Sequence, residues 1–327
     1  MESNKRKLWR EYHDKQETVY EMRLVSALEK VFLDERPVYR PECMKLTALK
    51  GETVSFQAAC TCTSFMKNRV KVRIESPISD RIHVRKVENV PAGRVCGPIV
   101  DDNYLKTESG LYPDLLRELV DGEVDIFPQK WRSIWIDIEV TEDVKAGLYP
   151  VTVILEKDGE TLARAATEVT IYDAVLPKQK MMHTEWFYLD CLADYYHVPV
   201  FSEEHWEIIT NYLKEYVKRG CNMILTPLFT PALDTAVGIE RTTTQLLDVR
   251  VENGNYSFGF DRVKKWIDLC QSCGIEYFEI CHLFSQWGAK YAPKVMAVVN
   301  GKEEQIFGWH TPAVGEYTKF LHSFCHS

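Results

Sequence analysis

The hydrophobic pattern of the chain changes its period near Leu176-Pro177-Lys178, and this change constrains the fold more than any other feature. Before it, apolar and polar residues alternate over short runs, as in the sequence IWIDIEV at residues 134–140. Such alternation is typical of half-buried β-strands. After it, apolar residues recur at helical spacing in longer segments that alternate with strand-like runs. The pattern therefore predicts a multidomain α and β protein, with an all-β domain followed by an α/β domain.

The first region reads as an antiparallel β-sandwich over residues 19–177, preceded by a solvated leader at residues 1–18. Its short strands follow one another without intervening helices, which favours a sandwich. An Asp158-Gly159 step between two apolar runs predicts a hairpin, because both turn residues require positive φ. The segment 101–128 has weak periodicity and is expected to be a long ordered loop. The predicted strands include residues 53–58, 70–74, 82–87, 134–140, 151–155 and 169–172.

The second region, residues 178–327, predicts three strand–helix units of a parallel α/β fold. The strands are expected at 181–188, at 221–226 and from Ile275, and a long excursion without assigned strands fills 227–260. A (β/α)₈ TIM barrel takes about 250 residues, more than this region contains. We therefore expect the first part of such a barrel, with a complete small three-layer α/β domain as the alternative. The helices are expected at 202–219, at 261–273 and from Thr311-Pro312.

Charge and composition exclude several classes of partner and compartment. The net charge of −8 argues against nucleic acid or an anionic membrane as the main partner. No apolar run reaches the length of a membrane-spanning helix, and the charged N-terminus lacks the apolar core of a secretory signal. The ten cysteines are scattered, so reduced thiols and a cytoplasmic location are expected. We expect no metal or cofactor, since only Cys281 and His282 could complete a zinc site with Cys270 and Cys273. The pattern leaves the oligomeric state open.

Three long motifs and one turn in the second region resemble glycoside hydrolase family 123 and the related domain of unknown function 4091 group. The strands before Pro177, including the sequence AGLY at residues 146–149, resemble that family's N-terminal β-sandwich. The resemblance therefore covers most of the chain. The matching pieces are WFYLDCLADYY at 186–196, NMILTPLFTPALDTAVGIERTTTQ at 222–245, EICHLFSQWGAKYAP at 279–293 and FGW at 307–309.

The resemblance implies a β-sandwich followed by a catalytic TIM barrel that releases N-acetylgalactosamine from glycans with retention. The 2-acetamido group of the substrate acts as nucleophile; an adjacent Asp orients it and the following Glu is the general acid/base, an exception to the usual two-carboxylate scheme. The only Asp-Glu step here is Asp34-Glu35, in the sandwich region. We therefore expect no catalytic residue in this chain, which looks truncated within the barrel. The alternatives are a non-catalytic carbohydrate-binding protein and an inactive fragment.

The candidate substrate-binding residues follow the predicted strands of the second region. Trp287 could stack on a pyranose ring, and Gln286 could bond its hydroxyls. Glu279 and His282 alternate on β-strand spacing, so only one faces the barrel interior. Arg241 could pair with Asp234 to order the excursion, or line the pocket. Each residue also has a purely structural interpretation. The full set is Glu185, Asp190, Thr226, Asp234, Arg241, Gln245, Glu279, His282, Gln286 and Trp287.

Overall fold

We describe the protein from a computed structural model. The structure describes residues 18–38, 40, 44–64, 67–93, 103–233, 235–236, 238–285 and 288–327. The chain divides into two compact units, Met1–Pro177 and Lys178–Ser327. Within the described residues, no helix is long and apolar enough to cross a membrane. All cysteines in these ranges carry free thiols.

The first unit consists of two five-stranded sheets, with strand orders β1-β3-β8-β5-β6 and β2-β10-β9-β4-β7. Side chains from both sheets share one buried cluster, which includes Phe56 and Ile136 from the first and Val153 and Leu155 from the second. This is the layering of a β-sandwich. The strands are β1 Tyr20–Ser26, β2 Lys45–Lys50, β3 Glu52–Cys62, β4 Asn68–Glu75, β5 Ile82–Ala92, β6 Gly110–Glu118, β7 Glu123–Ile126, β8 Arg132–Val140, β9 Gly147–Lys157 and β10 Glu160–Val175.

Two sequence expectations for this unit are corrected. The sheets are not purely antiparallel, because β10 pairs with β2 in parallel. The described part of the 101–128 segment is not a loop, since it contains β6 and β7, which pair with β5 and β4. The hairpin between β9 and β10 forms as expected, with positive φ at Asp158 and Gly159.

The second unit combines helices with two small sheets. Strands β11 and β14 pair in parallel, and a separate sheet has the order β13-β12-β15-β16. Most of the buried apolar side chains form one cluster, which includes Phe229, Trp266 and Phe320. The elements are α1 Leu189–Tyr196, α2 Glu203–Lys218, β11 Met223–Thr226, β12 Asp248–Glu252, β13 Asn255–Gly259, α3 Asp261–Cys273, β14 Tyr277–Ile280, β15 Val295–Val299, β16 Lys302–Phe307 and α4 Glu316–Cys325.

The helices α2 and α3 occupy the segments that the sequence predicted. The Ser202 hydroxyl accepts a hydrogen bond from the His205 amide at 3.2 Å and caps α2. Gly274, at φ 107, ends α3 in the left-handed region. An added Cβ there would lie 3.1 Å from Val217 Cγ1. The backbone conformation and the close approach of Val217 therefore both favour glycine at this position.

Three expectations for the second unit are wrong. Helix α4 begins at Glu316 rather than at Pro312. The 227–260 excursion contains the β12–β13 hairpin. Residues 181–188 form no strand. There the Tyr216 hydroxyl accepts from the Glu185 N–H at 2.7 Å and shares its one proton between the carbonyl oxygens of Glu185 and Met223, at 2.7 and 2.8 Å. These are backbone groups that a strand ladder would otherwise pair.

Candidate functional site

Asn222 fixes three chain segments side by side at the start of β11. Its amide nitrogen donates to Met181 O at 3.0 Å, and its amide oxygen accepts from the His183 N–H at 2.8 Å. Its backbone carbonyl accepts from Glu276 and Tyr277, which lead into β14, at 2.9 and 3.0 Å. The segment 181–188 therefore lies next to β11 on one side, as β14 does on the other.

The ends of the two outer segments meet through a pair of aromatic rings. Trp186 lies edge-to-face with His282, with 5.5 Å between the ring centroids. His282 follows β14, so the 181–188 segment runs in the same direction as β11 and β14. The Trp186 side chain is 44% exposed, and His282 is exposed. An exposed indole at the carboxyl ends of parallel segments offers an apolar face for a ligand. Trp186 was not among the predicted site residues, although its place near the end of a predicted strand could have indicated it.

Glu185 and Glu279 lie on two of these segments. The Glu185 side chain is 75% exposed, with its carboxylate 3.4 Å from His183 Nε2. Glu279 pairs in register with Leu225 across β11 and β14 and is half-buried. It forms no ion pair with any described residue. A carboxylate accepts hydrogen bonds, which is the role that a sugar hydroxyl would require of Glu279.

Asp190 and Arg241 form a buried ion pair, with 2.8 Å between Asp190 Oδ2 and Arg241 Nε. Their side chains are 5% and 10% exposed. The guanidinium also lies 4.0 Å from the centroid of the Tyr188 ring and donates to Cys191 Sγ. Burial tends to lower the pKa of Arg241, but the hydrogen bond and the charge of Asp190 raise it overall. The sequence left open whether Arg241 pairs with Asp234 or lines the pocket. Asp234 lies outside the described residues, and the described partner of Arg241 is Asp190, at the start of α1.

The stretch just before Arg241 is fixed to the turn that follows β16. The Glu240 carboxylate accepts from Gln305 Nε2 at 3.0 Å and from the Trp309 amide at 3.4 Å. A Cβ added at Gly308 would lie 2.4 Å from both Gln305 Nε2 and Glu240 Oε1. Glycine in the 307–309 turn therefore leaves the space that this hydrogen-bond cluster occupies.

Thr226 and Gln245 lie inside the unit. Thr226 is 1% exposed, and its hydroxyl accepts from the Trp266 indole N–H at 3.3 Å. The Gln245 amide donates to Leu247 O and Met296 O and accepts from the Met296 N–H. The Gln245 bonds join the middle of the 227–260 excursion to β15. Burial leaves both side chains little access to a ligand. The predicted residues Asp234, Gln286 and Trp287 lie outside the described residues.

The chemistry of Cys281 is that of a buried thiol. Its sulfur accepts the Phe229 N–H at 3.4 Å, and burial raises its pKa to about 11. The thiol is therefore protonated at neutral pH and is a poor nucleophile. Within the described residues, no group of three or more His, Cys, Asp or Glu side chains is placed to hold a metal ion.

The single Asp-Glu step lies on the surface of the first unit. Asp34 pairs with Lys130, and Glu35 pairs with Lys106. The two carboxylate side chains are 71% and 53% exposed. Exposed carboxylates paired with lysines are typical of a solvated surface. Their environment does not supply the desolvation that usually tunes a catalytic acid.

His205 connects the N-terminal ends of α1 and α2 and carries a pH prediction. The Phe201 N–H donates to its Nδ1 at 3.0 Å, so Nε2 carries the proton and donates to Leu189 O at 3.0 Å. Burial lowers its pKa in the folded state. The unfolded chain therefore binds a proton more readily, and the free energy of unfolding should fall as the pH drops below about 6.5.

The measurement is urea denaturation of the wild type and of His205→Gln at several pH values between about 5 and 8. Glutamine keeps one donor and one acceptor but does not titrate. The difference in free energy of unfolding between the wild type and His205→Gln should shrink as the pH falls, because only the wild type loses stability through protonation of His205. If the free energies of unfolding of the two proteins change with pH in parallel, His205 is excluded as a cause of the loss of stability in acid.

Comparison with known proteins was made by sequence and by structure. Residues 32–157 match the sequence model described as "Glycoside hydrolase 123 N-terminal domain", and residues 186–327 match "Glycoside hydrolase 123, catalytic domain". Among curated proteins, no sequence matches.

Among solved structures, a family 123 glycoside hydrolase from Clostridium perfringens, studied for glycolipid glycan hydrolysis, matches with a TM-score of 0.68 and 17% identity. The match covers 94% of this chain and 55% of that one, so this chain spans about half the length of the enzyme. The CARDB domain of PF1109 from Pyrococcus furiosus has a TM-score of 0.24 and 6% identity, covering 48% of this chain and 96% of that one. A β-glucosidase from Listeria innocua in complex with glucose has a TM-score of 0.24 and 11% identity, covering 50% of this chain and 17% of that one. The last two similarities are too weak to carry an argument.

Proposed function

The chain belongs to the glycoside hydrolase 123 family, and on that basis we propose that it binds an N-acetylhexosaminide, in particular an N-acetylgalactosaminide. The observation that carries the proposal is the exposed Trp186 ring beside His282, where the 181–188 segment and β14 end. Ligand sites of parallel α/β proteins lie at this end of the strands. We also propose that residues 178–327 form the first part of a (β/α)₈ barrel, because successive parallel segments lie side by side and helices follow them in the chain.

In this proposal, one face of a pyranose stacks on Trp186. The C–H-rich face of a sugar suits a flat aromatic ring, and the hydroxyls on its rim require polar partners. His282, whose ring lies beside Trp186, supplies such a partner just past the end of β14. The buried Asp190–Arg241 pair acts indirectly, because it fixes the residues around Arg241 against the start of α1.

By resemblance, members of the family hydrolyse their substrate with the help of its own acetamido group, a chemistry that requires no metal or cofactor. It requires an adjacent Asp and Glu at the site. The second unit contains no Asp-Glu step, so its described side chains are proposed to bind and orient the sugar. A non-catalytic carbohydrate-binding protein is the second candidate, favoured by the same observation. We expect no turnover of an aryl N-acetylgalactosaminide by this 327-residue chain; measurable turnover that survives extensive purification would favour the enzyme over the binding protein.

The binding proposal is tested by Trp186→Ala. Loss of the indole should weaken N-acetylgalactosamine binding about tenfold or more, because stacking and burial of the ring contribute at least about 1.4 kcal/mol. Isothermal titration calorimetry measures this affinity. The matched control is Tyr277→Ala, which removes an exposed ring at the opposite end of β14 and should leave the affinity unchanged. Equal affinities in wild type and Trp186→Ala would remove Trp186 from the site.

A further inference from the structure

A cleft of about 430 Å³ lies in the first unit, and none of its lining residues is among those discussed as sugar contacts. One wall comes from the end of β5 and the start of β6, and the others come from Lys30, Phe32 and the segment 104–108. Its volume falls within the range of ordinary small-molecule sites, about 300–1,000 Å³. The cleft is therefore large enough for one or two sugar rings.

Three aromatic side chains line the cleft, and two of them are held in place. Phe32 lies edge-to-face with Tyr112 at 6.1 Å between centroids, and Lys106 Nζ lies 4.9 Å from the Phe32 centroid. The Tyr112 hydroxyl donates to the Glu108 carbonyl. The third ring, Tyr104, is 43% exposed. Tyr104 is thus an exposed ring beside a pre-ordered aromatic wall.

The charges of the described residues that line the cleft balance. Its described lining carries two lysines, Lys30 and Lys106, and two carboxylates, Glu108 and Asp114. A site for phosphate or for an acidic polymer would carry an excess of cations. Balanced charges beside aromatic rings suit a neutral ligand that has both an apolar face and hydroxyl groups, and a pyranose has both.

We propose that this cleft is a second carbohydrate site, which binds a neutral oligosaccharide independently of the site at Trp186. Tyr104 stacks on one ring of the oligosaccharide, and the side chains of Lys30, Thr107 and Asp114 bond its hydroxyls. The first unit then contributes affinity for the glycan as well as structure. Two sites on one chain would raise the avidity for a surface that carries many copies of the glycan.

The test uses the full chain and a neutral trisaccharide that ends in N-acetylgalactosamine. Calorimetry on the Trp186→Ala variant isolates the cleft, because that substitution weakens the site in the second unit. Adding Tyr104→Ala should weaken the remaining binding about tenfold or more. The matched control adds Tyr172→Ala instead, which removes a 53% exposed tyrosine of β10 and should change nothing. Thermal unfolding of each variant verifies that these exposed positions leave the fold intact.

The outcomes separate the two proposals. Residual binding that Tyr104→Ala removes and Tyr172→Ala preserves supports the cleft. Absence of residual binding in Trp186→Ala overturns the cleft but leaves the site in the second unit standing. Binding that both tyrosine substitutions weaken equally, or that neither changes, also overturns the cleft. A wild-type affinity that Trp186→Ala does not alter contradicts the site in the second unit, whatever Tyr104→Ala does.

Discussion

Replacing Arg241 with alanine is expected to lower the free energy of unfolding of the second unit by about 3–5 kcal/mol. The substitution leaves the Asp190 carboxylate buried and without its cation, since the pair is 5% and 10% exposed and joined at 2.8 Å. It also removes the guanidinium from the Tyr188 ring. Urea denaturation followed by helical circular dichroism reports this unit, because all the described α-helices belong to it.

The matched control for this prediction is Arg219→Ala. Arg219 pairs with Glu215 at 3.5 Å, but both side chains are more than half exposed. Arg219→Ala should therefore lower the free energy of unfolding by at most about 0.5 kcal/mol. A double variant, Asp190→Leu with Arg241→Met, should recover most of the stability, because apolar groups can replace a buried pair. Equal effects of the two arginine substitutions would contradict the assignment of Arg241 as a buried support of the excursion.

Trp266→Ala should destabilise the same unit by about 3–5 kcal/mol, the range for removing a buried tryptophan. Trp266 on α3 is fully buried, and its indole N–H is the described donor to the Thr226 hydroxyl at the end of β11. Trp266→Phe preserves much of the ring volume but removes the hydrogen-bond donor. Its free energy of unfolding should therefore fall by less than that of Trp266→Ala. The measurement is the same denaturation experiment.

Trp186→Ala provides the contrasting control, because Trp186 is 44% exposed. It should reduce sugar affinity with little change in the free energy of unfolding. Trp266→Ala should lower the free energy of unfolding with little change in sugar affinity, when the affinity is calculated per folded molecule. A stability loss at Trp186 as large as at Trp266 would mean that both indoles are core residues.

Local signals predicted most of the regular elements. The Ser202 cap and Gly220 bounded α2, and Gly274 ended α3. The alternation at 134–140 lies within β8, whose Ile134, Ile136 and Ile138 are fully buried. These elements follow from short-range backbone preferences and hydrophobic period, which a sequence displays directly.

Two hairpins were missed although the sequence carries their signal. Asn253-Gly254 and Asn300-Gly301 have positive φ at both positions and connect β12 to β13 and β15 to β16. An Asn-Gly step between apolar runs is a strong hairpin signal. The 227–260 region was interpreted as one excursion, and the parallel pairing of β12 with β15 depends on contacts about 50 residues apart that no local pattern displays.

The site was predictable only in part, because partners distant in the chain determine the role of each side chain. Asp190 and Thr226 were both proposed as sugar contacts, yet one is paired with Arg241 and the other accepts from Trp266. The contact between Trp186 and His282 joins residues almost 100 positions apart. Side-chain chemistry at predicted strand ends indicates a candidate region, whereas tertiary packing determines which of its groups remain exposed.

Calorimetry with two sugars tests most directly our proposal that this chain recognises an N-acetylhexosaminide. We expect the 327-residue chain to bind N-acetylgalactosamine about tenfold or more tightly than galactose, since only the former carries the acetamido group that the site should hydrogen-bond. Absence of binding to both sugars, or equal affinity for the two, would contradict it.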